Sequence, residues 1–152
     1  LGVLQYRFAH SVYKMKVPLV KQVLQIICLI WQKNIEIVTG ISIPSSVSIG
    51  HSFYIGHFGG IILNAKTIIG NNCNLSQGVT IGVSGLADKR GVPILKNNVY
   101  IGANAVLVGK IIIEDNVLVG ACSLVNSSAE KNAVLLGVPA IKVSDKGSEG
   151  YI

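Results

Sequence analysis

Charged side chains are scarce in this sequence. Only 13% of its 152 residues are Asp, Glu, Lys or Arg, and its mean hydropathy is +0.57. A chain this apolar can bury a large core for its length, and it usually hides part of its apolar surface between subunits. The length suits one compact domain. We therefore expect a single-domain protomer of an oligomer.

A concentrated basic face is also lacking. The 13 Lys and Arg outnumber the 7 Asp and Glu and give a formal net charge of +6, but they are scattered, and Lys89-Arg90 is only a pair. Nucleic-acid binders usually concentrate basic residues on one face or in a run. The distribution argues against a nucleic-acid partner and fits an anionic small ligand.

Cysteine motifs for zinc or redox chemistry are missing as well. Cys28, Cys73 and Cys122 lie far apart in apolar surroundings, with no CxxC spacing. We expect three reduced thiols that pack as small hydrophobes in a cytoplasmic protein. No signal peptide is legible, and the start at Leu1 rather than Met leaves open that upstream residues are missing.

The first 38 residues form a predicted helical N-terminal segment. From Val17 to Trp31 the apolar residues follow helical spacing, and Pro18 marks the helix start. The stretch is too short to cross a bilayer, which needs about 20 apolar residues. We favour packing on the protein itself or on a neighbouring subunit. The alternative is peripheral contact of residues 17–31 with the inner face of the membrane, aided by flanking lysines.

From residue 39 to residue 143 the chain follows a six-residue repeat. Aliphatic residues recur in three runs: Ile43, Ile49, Ile55 and Ile61; Leu63, Ile69, Leu75 and Ile81; Leu95, Ile101, Leu107, Ile113, Val119 and Val125. Such a period indicates a repeat architecture in which each hexapeptide supplies one short strand and one turn. We expect the aliphatic residue to point inward, and the small or apolar residue four positions later to let the chain turn. Residues 18 apart should stack, and residues 144–152 form a tail.

Two breaks interrupt this repeat. One is a two-residue slip between Ile61 and Leu63, directly after His57 and its glycines. The other lies between Ile81 and Leu95, where extra residues predict a protruding loop over residues 83–93. Solenoids tend to carry function on such insertions, so both breaks are candidate functional sites.

The segments around these breaks resemble the hexapeptide acyltransferases, most closely the serine acetyltransferase branch. Gly56 to Leu63 is similar to the catalytic Asp-His-x-x-Gly-Ile-Val-Val stretch, and three further segments match: Gln77 to Gly82, Val99 to Ala105 and Gly137 to Ala140. The resemblance implies a mainly β fold, a left-handed parallel β-helix after a short α-helical N-terminal segment. It also implies a homotrimer with active sites between subunits, acetyl-CoA as co-substrate and no required metal.

Residue roles follow from the same resemblance. His57 would be the general base that takes the proton of an acceptor hydroxyl as it attacks the thioester. The backbone at Ala103 and Ala121 would bind the pantetheine amides. Gly82, Ser84 and Gly85 would line the thioester end, and Lys142 would lie near the nucleotide phosphates.

The acceptor site departs from the serine acetyltransferase pattern. That family usually has Asp where this chain has Ser42 and Gly56, and Arg-His-Pro where it has Gly91-Val92-Pro93; Arg90 is displaced by one residue. A site for a free amino acid normally has groups that bind both its ammonium and its carboxylate. Polysaccharide O-acetyltransferases of the colanic-acid type share the Gly-Val-Pro loop and the opening from Tyr6 to His10. We therefore favour a sugar hydroxyl over serine, with Phe58 and Tyr54 offering apolar contact.

Two other functions remain as alternatives. A zinc lyase of the γ-carbonic anhydrase type needs three converging histidines, but His10 lies outside the repeats, and His51 and His57 fall on adjacent faces. A non-catalytic trimeric scaffold would keep the fold without the chemistry. Ser42 or a backbone carbonyl is the expected partner that orients His57.

Overall fold

The computed structural model describes residues 1–152. Two helices come first, α1 (Gly2–Lys14) and α2 (Pro18–Thr39), and they pack against each other as a helical hairpin. Helix α2 begins at Pro18 as predicted, where the missing N–H costs nothing, but it continues well past Trp31. It ends at Gly40, whose left-handed backbone (φ +68°) lets its N–H donate to the Glu36 carbonyl. No helix is long and apolar enough to span a membrane.

Fifteen short strands follow in a repeating order. They are β1 (Ile41–Ser42), β2 (Ser48–Ile49), β3 (Tyr54–Ile55), β4 (Ile61–Leu63), β5 (Ile68–Ile69), β6 (Asn74–Leu75), β7 (Thr80–Gly82), β8 (Ile94–Leu95), β9 (Tyr100–Ile101), β10 (Val106–Val108), β11 (Ile112–Ile113), β12 (Leu118–Val119), β13 (Leu124–Val125), β14 (Val134–Gly137) and β15 (Ala140–Ser144). They form three sheets, β1-β4-β7-β10-β13, β2-β5-β8-β11 and β3-β6-β9-β12-β14-β15. Every pairing is parallel except that of β14 with β15. The chain therefore winds as a three-sided parallel β-helix.

The strand register shows where coils are lengthened. Regular coils stack residues 18 apart, as with Ile101 on Val119. The spacing is 20 where Ile41 pairs with Ile61, and 26 where Ile81 pairs with Leu107 across the protruding loop. The two-residue slip was placed wrongly, because Ile61 and Leu63 belong to one strand with both side chains buried. The extra residues lie earlier, in the turn after Ile55.

A shortened coil near the end was not anticipated. Val119 pairs with Leu135, only 16 residues on. Two residues are therefore missing after Val125, and Ala129 bridges to Ile113. Ala129 thus occupies an inward aliphatic position rather than the small-residue position assigned from spacing.

The predicted core is buried, but the turning role was assigned to the wrong residues. Thirteen of the fourteen repeat aliphatics are buried; Ile55 is half-buried. Away from the two breaks, the residues four positions later are buried too and fill the corners from inside, as Val79 and Val99 do. The left-handed backbone lies one residue earlier, at Gly78 and at the stacked asparagines of another corner: Asn72, Asn98, Asn116 and Asn132. Asparagine tolerates this conformation, and each Asn amide in that row donates to the next.

Helix α1 covers the open end of the first coil. The Tyr6 hydroxyl donates to the Val47 carbonyl at 2.7 Å, and the Arg7 guanidinium donates to the Ile49 carbonyl at 2.7 Å. His10 Nδ1 lies 2.8 Å from the Ser45 carbonyl oxygen. These bonds satisfy strand-end carbonyls that would otherwise face an apolar helix. The opening from Tyr6 to His10 therefore has a structural role in closing the β-helix.

The three thiols differ in exposure, so the expectation that all are packed was wrong for one of them. Cys28 and Cys73 are buried, whereas Cys122 is exposed, and no disulfide forms. Burial raises the pKa of the Cys73 thiol to about 11 and also raises that of Cys28. Cys122 stands one residue before the buried Ser123, at a left-handed turn (φ +58°) that holds its side chain outside the coil.

Alkylation with iodoacetamide at neutral pH should therefore modify Cys122 alone in the native protein. The thiolate is the reactive form, and the raised pKa keeps buried Cys73 protonated well above neutral pH. Peptide mass spectrometry after short exposure measures this directly, and unfolding in denaturant should expose the two remaining sites. Equal native labelling of Cys73 would contradict the buried position assigned to it.

Candidate active site

His57 lies on the lengthened turn that joins β3 to β4. Two glycines with left-handed backbone complete this turn, Gly59 (φ +109°) and Gly60 (φ +65°), and no β-branched residue could replace them without strain. The Gly59 N–H donates to the Thr39 carbonyl at 2.7 Å, and its carbonyl accepts from the Gly78 N–H at 2.9 Å. The turn is thus fixed between the end of α2 and the next coil, so the backbone that carries His57 is well positioned.

The imidazole of His57 is exposed and faces a small cleft. Phe58, Ile41 and Thr39 line this cleft of about 340 Å³, together with the first residues of α1. His10 and His51 each have a hydrogen-bond partner, the Ser45 carbonyl and the Ser52 hydroxyl, whereas His57 has none within the chain. Its two ring nitrogens are therefore available to a ligand or to another subunit.

The Ser42 side chain does not contact His57; it binds the carboxylate of Glu36. The Ser42 hydroxyl donates to Glu36 Oε1 at 2.8 Å, and Gln32 and Lys33 also donate to this carboxylate. Burial acts to raise the pKa of Glu36, but these three hydrogen bonds and the Lys33 charge together leave it below its ordinary value. The repeat pattern gave no indication of a role for Glu36, because this residue lies on α2, outside the repeat. It keeps a negative charge next to the strand on which the family pattern has Asp.

Gly56 has room for a larger side chain. A Cβ there would meet only the Tyr54 ring, at an ordinary distance of 3.6 Å, and Gly56 has no left-handed backbone. The absence of a carboxylate beside His57 is therefore not imposed by packing. The cleft of this chain has no charged side chain in its lining, and Phe58 is its most exposed aromatic at 79%.

The segment over residues 83–93 joins β7 to β8, and its residues 83–90 are exposed. It is closed at its base by mutual backbone bonds between Ser84 and Gly91, and a short 3-10 turn spans Ala87–Lys89. Gly85 (φ +93°) is required there, because a Cβ would lie 2.4 Å from the Lys89 carbonyl oxygen. Arg90 is exposed. Ser84 and Gly85 line a second cleft of about 580 Å³ together with Lys89 and Lys110.

The remaining predicted CoA contacts lie along the β-helix. Ala103 and Ala121 stack 18 residues apart, and the Ala103 carbonyl accepts from the Cys122 N–H at 2.8 Å, while neither alanine N–H donates within the chain. Gly82 ends β7 beside Val108. Lys142 pairs with Asp145 at 2.6 Å and with Glu130 at 3.4 Å. Its hydrogen bonds to Asp145 and Glu130 raise the pKa of its ammonium, so an incoming phosphate would compete with two carboxylates.

One chain does not bring all of these residues together. The His57 cleft and the loop cleft share no lining residue. No three His, Cys, Asp or Glu side chains cluster as a metal site would require, and the three histidines lie on α1, before β3 and after β3. Within one chain, therefore, the three histidines do not converge on a single point as a zinc lyase would require.

Comparison with known proteins places the chain in a family. A pattern described as "Bacterial transferase hexapeptide (six repeats)" matches residues 93–127. A serine acetyltransferase of Helicobacter pylori is 30% identical over 139 residues, which cover 91% of this chain and 77% of that protein. The chain belongs to the serine acetyltransferase family. The enzyme of the same name from Synechococcus elongatus is 31% identical over 88% of this chain but only 52% of its own length. The chain thus spans about half of that relative.

Solved structures agree with this assignment. A serine acetyltransferase described as a complex with cysteine matches with a TM-score of 0.80 and 29% identity, over 94% of this chain and 56% of that one. Another, described as a complex with CoA, matches with a TM-score of 0.78 and 28% identity, over 93% and 55%. The predicted fold class, a left-handed parallel β-helix with a short helical N-terminal segment, is confirmed. These serine acetyltransferase relatives lend no support to the predicted polysaccharide acetyltransferase character.

Proposed function

We propose that this member of the serine acetyltransferase family transfers an acetyl group from acetyl-CoA to a hydroxyl, with His57 as general base. The observation that carries the proposal is the exposed, unpartnered imidazole on a turn fixed by backbone bonds, facing a cleft at the edge of the β-helix. The similarity to a serine acetyltransferase that binds CoA supports acetyl-CoA as the donor.

The proposed reaction is direct. Neutral His57 accepts the hydroxyl proton while the oxygen forms a bond to the thioester carbonyl carbon. The tetrahedral intermediate collapses as the carbon–sulfur bond breaks, and the imidazolium returns its proton to the CoA sulfur. The oxyanion requires N–H donors that are already in place. Backbone N–H groups of the glycine-rich turns near His57 are the candidates for that role.

A homotrimer with active sites between protomers completes this proposal. The His57 cleft and the loop cleft are separate on one chain, so the loop of a neighbouring protomer would have to bring Ser84, Gly85 and Arg90 to His57. The free N–H groups of Ala103 and Ala121 suit the amide carbonyls of a pantetheine arm. Lys142 stays a proposed phosphate contact that must first release its carboxylates.

Serine is the proposed acceptor, because the relatives named above are serine acetyltransferases. A sugar hydroxyl is the second candidate. It is favoured by one observation: no Asp, Glu, Lys or Arg side chain lines the His57 cleft, and Phe58 is exposed in it. A sugar needs hydrogen bonds and an apolar contact, whereas free serine needs partners for two charges. Neither Arg90 nor Glu36 lines the cleft. Arg90 is the proposed partner of the serine carboxylate, and Glu36, which accepts from the Ser42 hydroxyl, is the proposed partner of its ammonium.

Thiol release from acetyl-CoA distinguishes the two acceptors. The wild-type protein should release CoA with serine at a kcat/KM at least about tenfold above that with a panel of hexoses and uridine-diphosphate sugars. Arg90→Gln should raise the KM for serine, while Lys66→Gln, a matched change at an exposed lysine away from both clefts, should not. Efficient turnover of sugars without turnover of serine would overturn the serine assignment and leave the transferase assignment intact.

A further inference from the structure

The helical hairpin leaves an unusually large apolar surface exposed. On α2 nine large aliphatic side chains are exposed: Leu19, Val20, Val23, Ile26, Ile27, Leu29, Ile30, Ile37 and Val38. At 100° per residue they span about half of the helix circumference, on the side opposite the contact with α1. This arc is much wider than the narrow seam with which a coiled coil pairs its helices.

The far end of the hairpin is only loosely tied to the rest of the molecule. Its own core consists of Ala9, Val12 and Cys28, with Met15 and Leu24 packed beside them, and this cluster is separate from the core of the β-helix. The hydrogen bonds to the first coil come from Tyr6, Arg7 and His10, all nearer the start of α1. We call residues 13–21 the hairpin tip; it projects beyond these contacts.

The charge of the hairpin has one dominant sign. Residues 1–39 contain five of the thirteen cationic side chains and, with Glu36, one of the seven acidic ones. Lys14, Lys16 and Lys21 belong to the hairpin tip, where Tyr13, Val17 and Leu19 are also exposed. The Glu36 carboxylate pairs with Lys33 and accepts a hydrogen bond from Ser42 near the other end of α2. The tip therefore combines exposed apolar side chains with unpaired positive charge.

We propose that the hairpin tip and the outward face of α2 bind the surface of a bilayer that contains anionic lipids. Aliphatic side chains would enter the interfacial region, while the tip lysines contact the headgroup phosphates. A contact that sets the tips of two hairpins against each other fits less well, because it would bring Lys14, Lys16 and Lys21 of both copies together. Residues at the base of the hairpin line the His57 cleft, so binding would hold that cleft near the membrane. The proposal does not depend on the acceptor.

Co-sedimentation with vesicles tests this proposal. The wild-type protein should sediment with vesicles of phosphatidylcholine and phosphatidylglycerol, weakly with phosphatidylcholine alone, and less as salt is raised. The double variant Ile26→Ser and Ile30→Ser should lose at least about tenfold in partitioning. Ile26 and Ile30 are 60% and 61% exposed, so thermal unfolding should hardly change. The matched control is Ile141→Ser on β15, at a site 65% exposed, and it should bind as the wild type does.

A second variant tests the contribution of the tip lysines to vesicle binding. Lys14→Gln with Lys16→Gln should reduce partitioning about 25-fold, since each lysine near an anionic surface contributes about fivefold. Equal binding to both kinds of vesicle, or undiminished binding by the serine double variant, would overturn the proposal. The proposal would also be overturned if the wild-type protein did not bind vesicles and the Ile26→Ser, Ile30→Ser variant formed a smaller assembly than the wild type in sedimentation velocity. That result would make the face a contact between copies of the chain.

Discussion

Replacing His57 by alanine is expected to lower the rate of acetyl transfer by about 10²-fold to 10⁴-fold. The acceptor hydroxyl is a weak nucleophile at neutral pH, and no other imidazole of the same chain lines the cleft. His10 bonds the Ser45 carbonyl, and His51 lies before β3. The fold should survive, since the side chain is exposed and the turn is held by backbone bonds of Gly59. Steady-state thiol release from acetyl-CoA measures the rate.

His51→Ala is the matched control for this change. His51 is also an exposed histidine on a turn of the first coil, six residues earlier, and its only side-chain partner is the Ser52 hydroxyl at 3.3 Å. It should keep the wild-type rate, and both variants should show the circular dichroism and thermal unfolding of the wild type. Activity of the His57 variant within twofold of the control would show that the base lies elsewhere.

Replacing Ile69 by alanine is expected to lower the free energy of unfolding by about 2–5 kcal/mol. Ile69 is 2% exposed and stacks between Ile49 and Leu95 inside the β-helix. Removing its side chain leaves a cavity that the parallel coils cannot collapse to fill, because each coil is hydrogen-bonded to its neighbours. For a chain of this length, each lost kcal/mol corresponds to about 2–4 °C in Tm. Denaturant unfolding and calorimetry both measure the effect.

Ile68→Ala deletes the same atoms one residue earlier. Ile68 points to the other side of β5 and is 45% exposed, so its loss should cost less than half as much as that of Ile69. Because the two substitutions remove the same atoms, a difference in their unfolding free energies reports only the direction in which each side chain points. A larger loss for Ile68 than for Ile69 would contradict the inward and outward assignment on which the whole core rests.

The period of the sequence was enough to predict the core and the two lengthened coils. Aliphatic residues six apart can all face inward only if each hexapeptide supplies one side of a triangle, so burial followed from spacing. The shortened coil after Val125 was missed because Ala129 happens to satisfy the small-residue spacing of an unbroken repeat. The turns were assigned to Val79 and Val99, but the left-handed backbone that makes each turn belongs to the preceding residue, Gly78 or Asn98. The six-residue spacing does not show which of two adjacent residues has this conformation.

The candidate site was predictable only in part. His57 and its glycines stand out because they interrupt the repeat, but the Glu36 carboxylate beside Ser42 depends on how α2 enters β1, which no repeat pattern describes. The opening from Tyr6 to His10 was grouped with an acceptor type, whereas its side chains close the first coil. Contacts between helix and β-helix join residues about 40 positions apart, and local periodicity carries no information on them.

Transfer of an isotopically labelled acetyl group tests the central claim most directly. With labelled acetyl-CoA and serine, the wild-type protein should place the label on the serine hydroxyl, with none bound covalently to the denatured protein. The same experiment with His57→Ala should leave the label on CoA. Label retained on the protein, or transfer that persists without His57, would contradict direct transfer by this histidine.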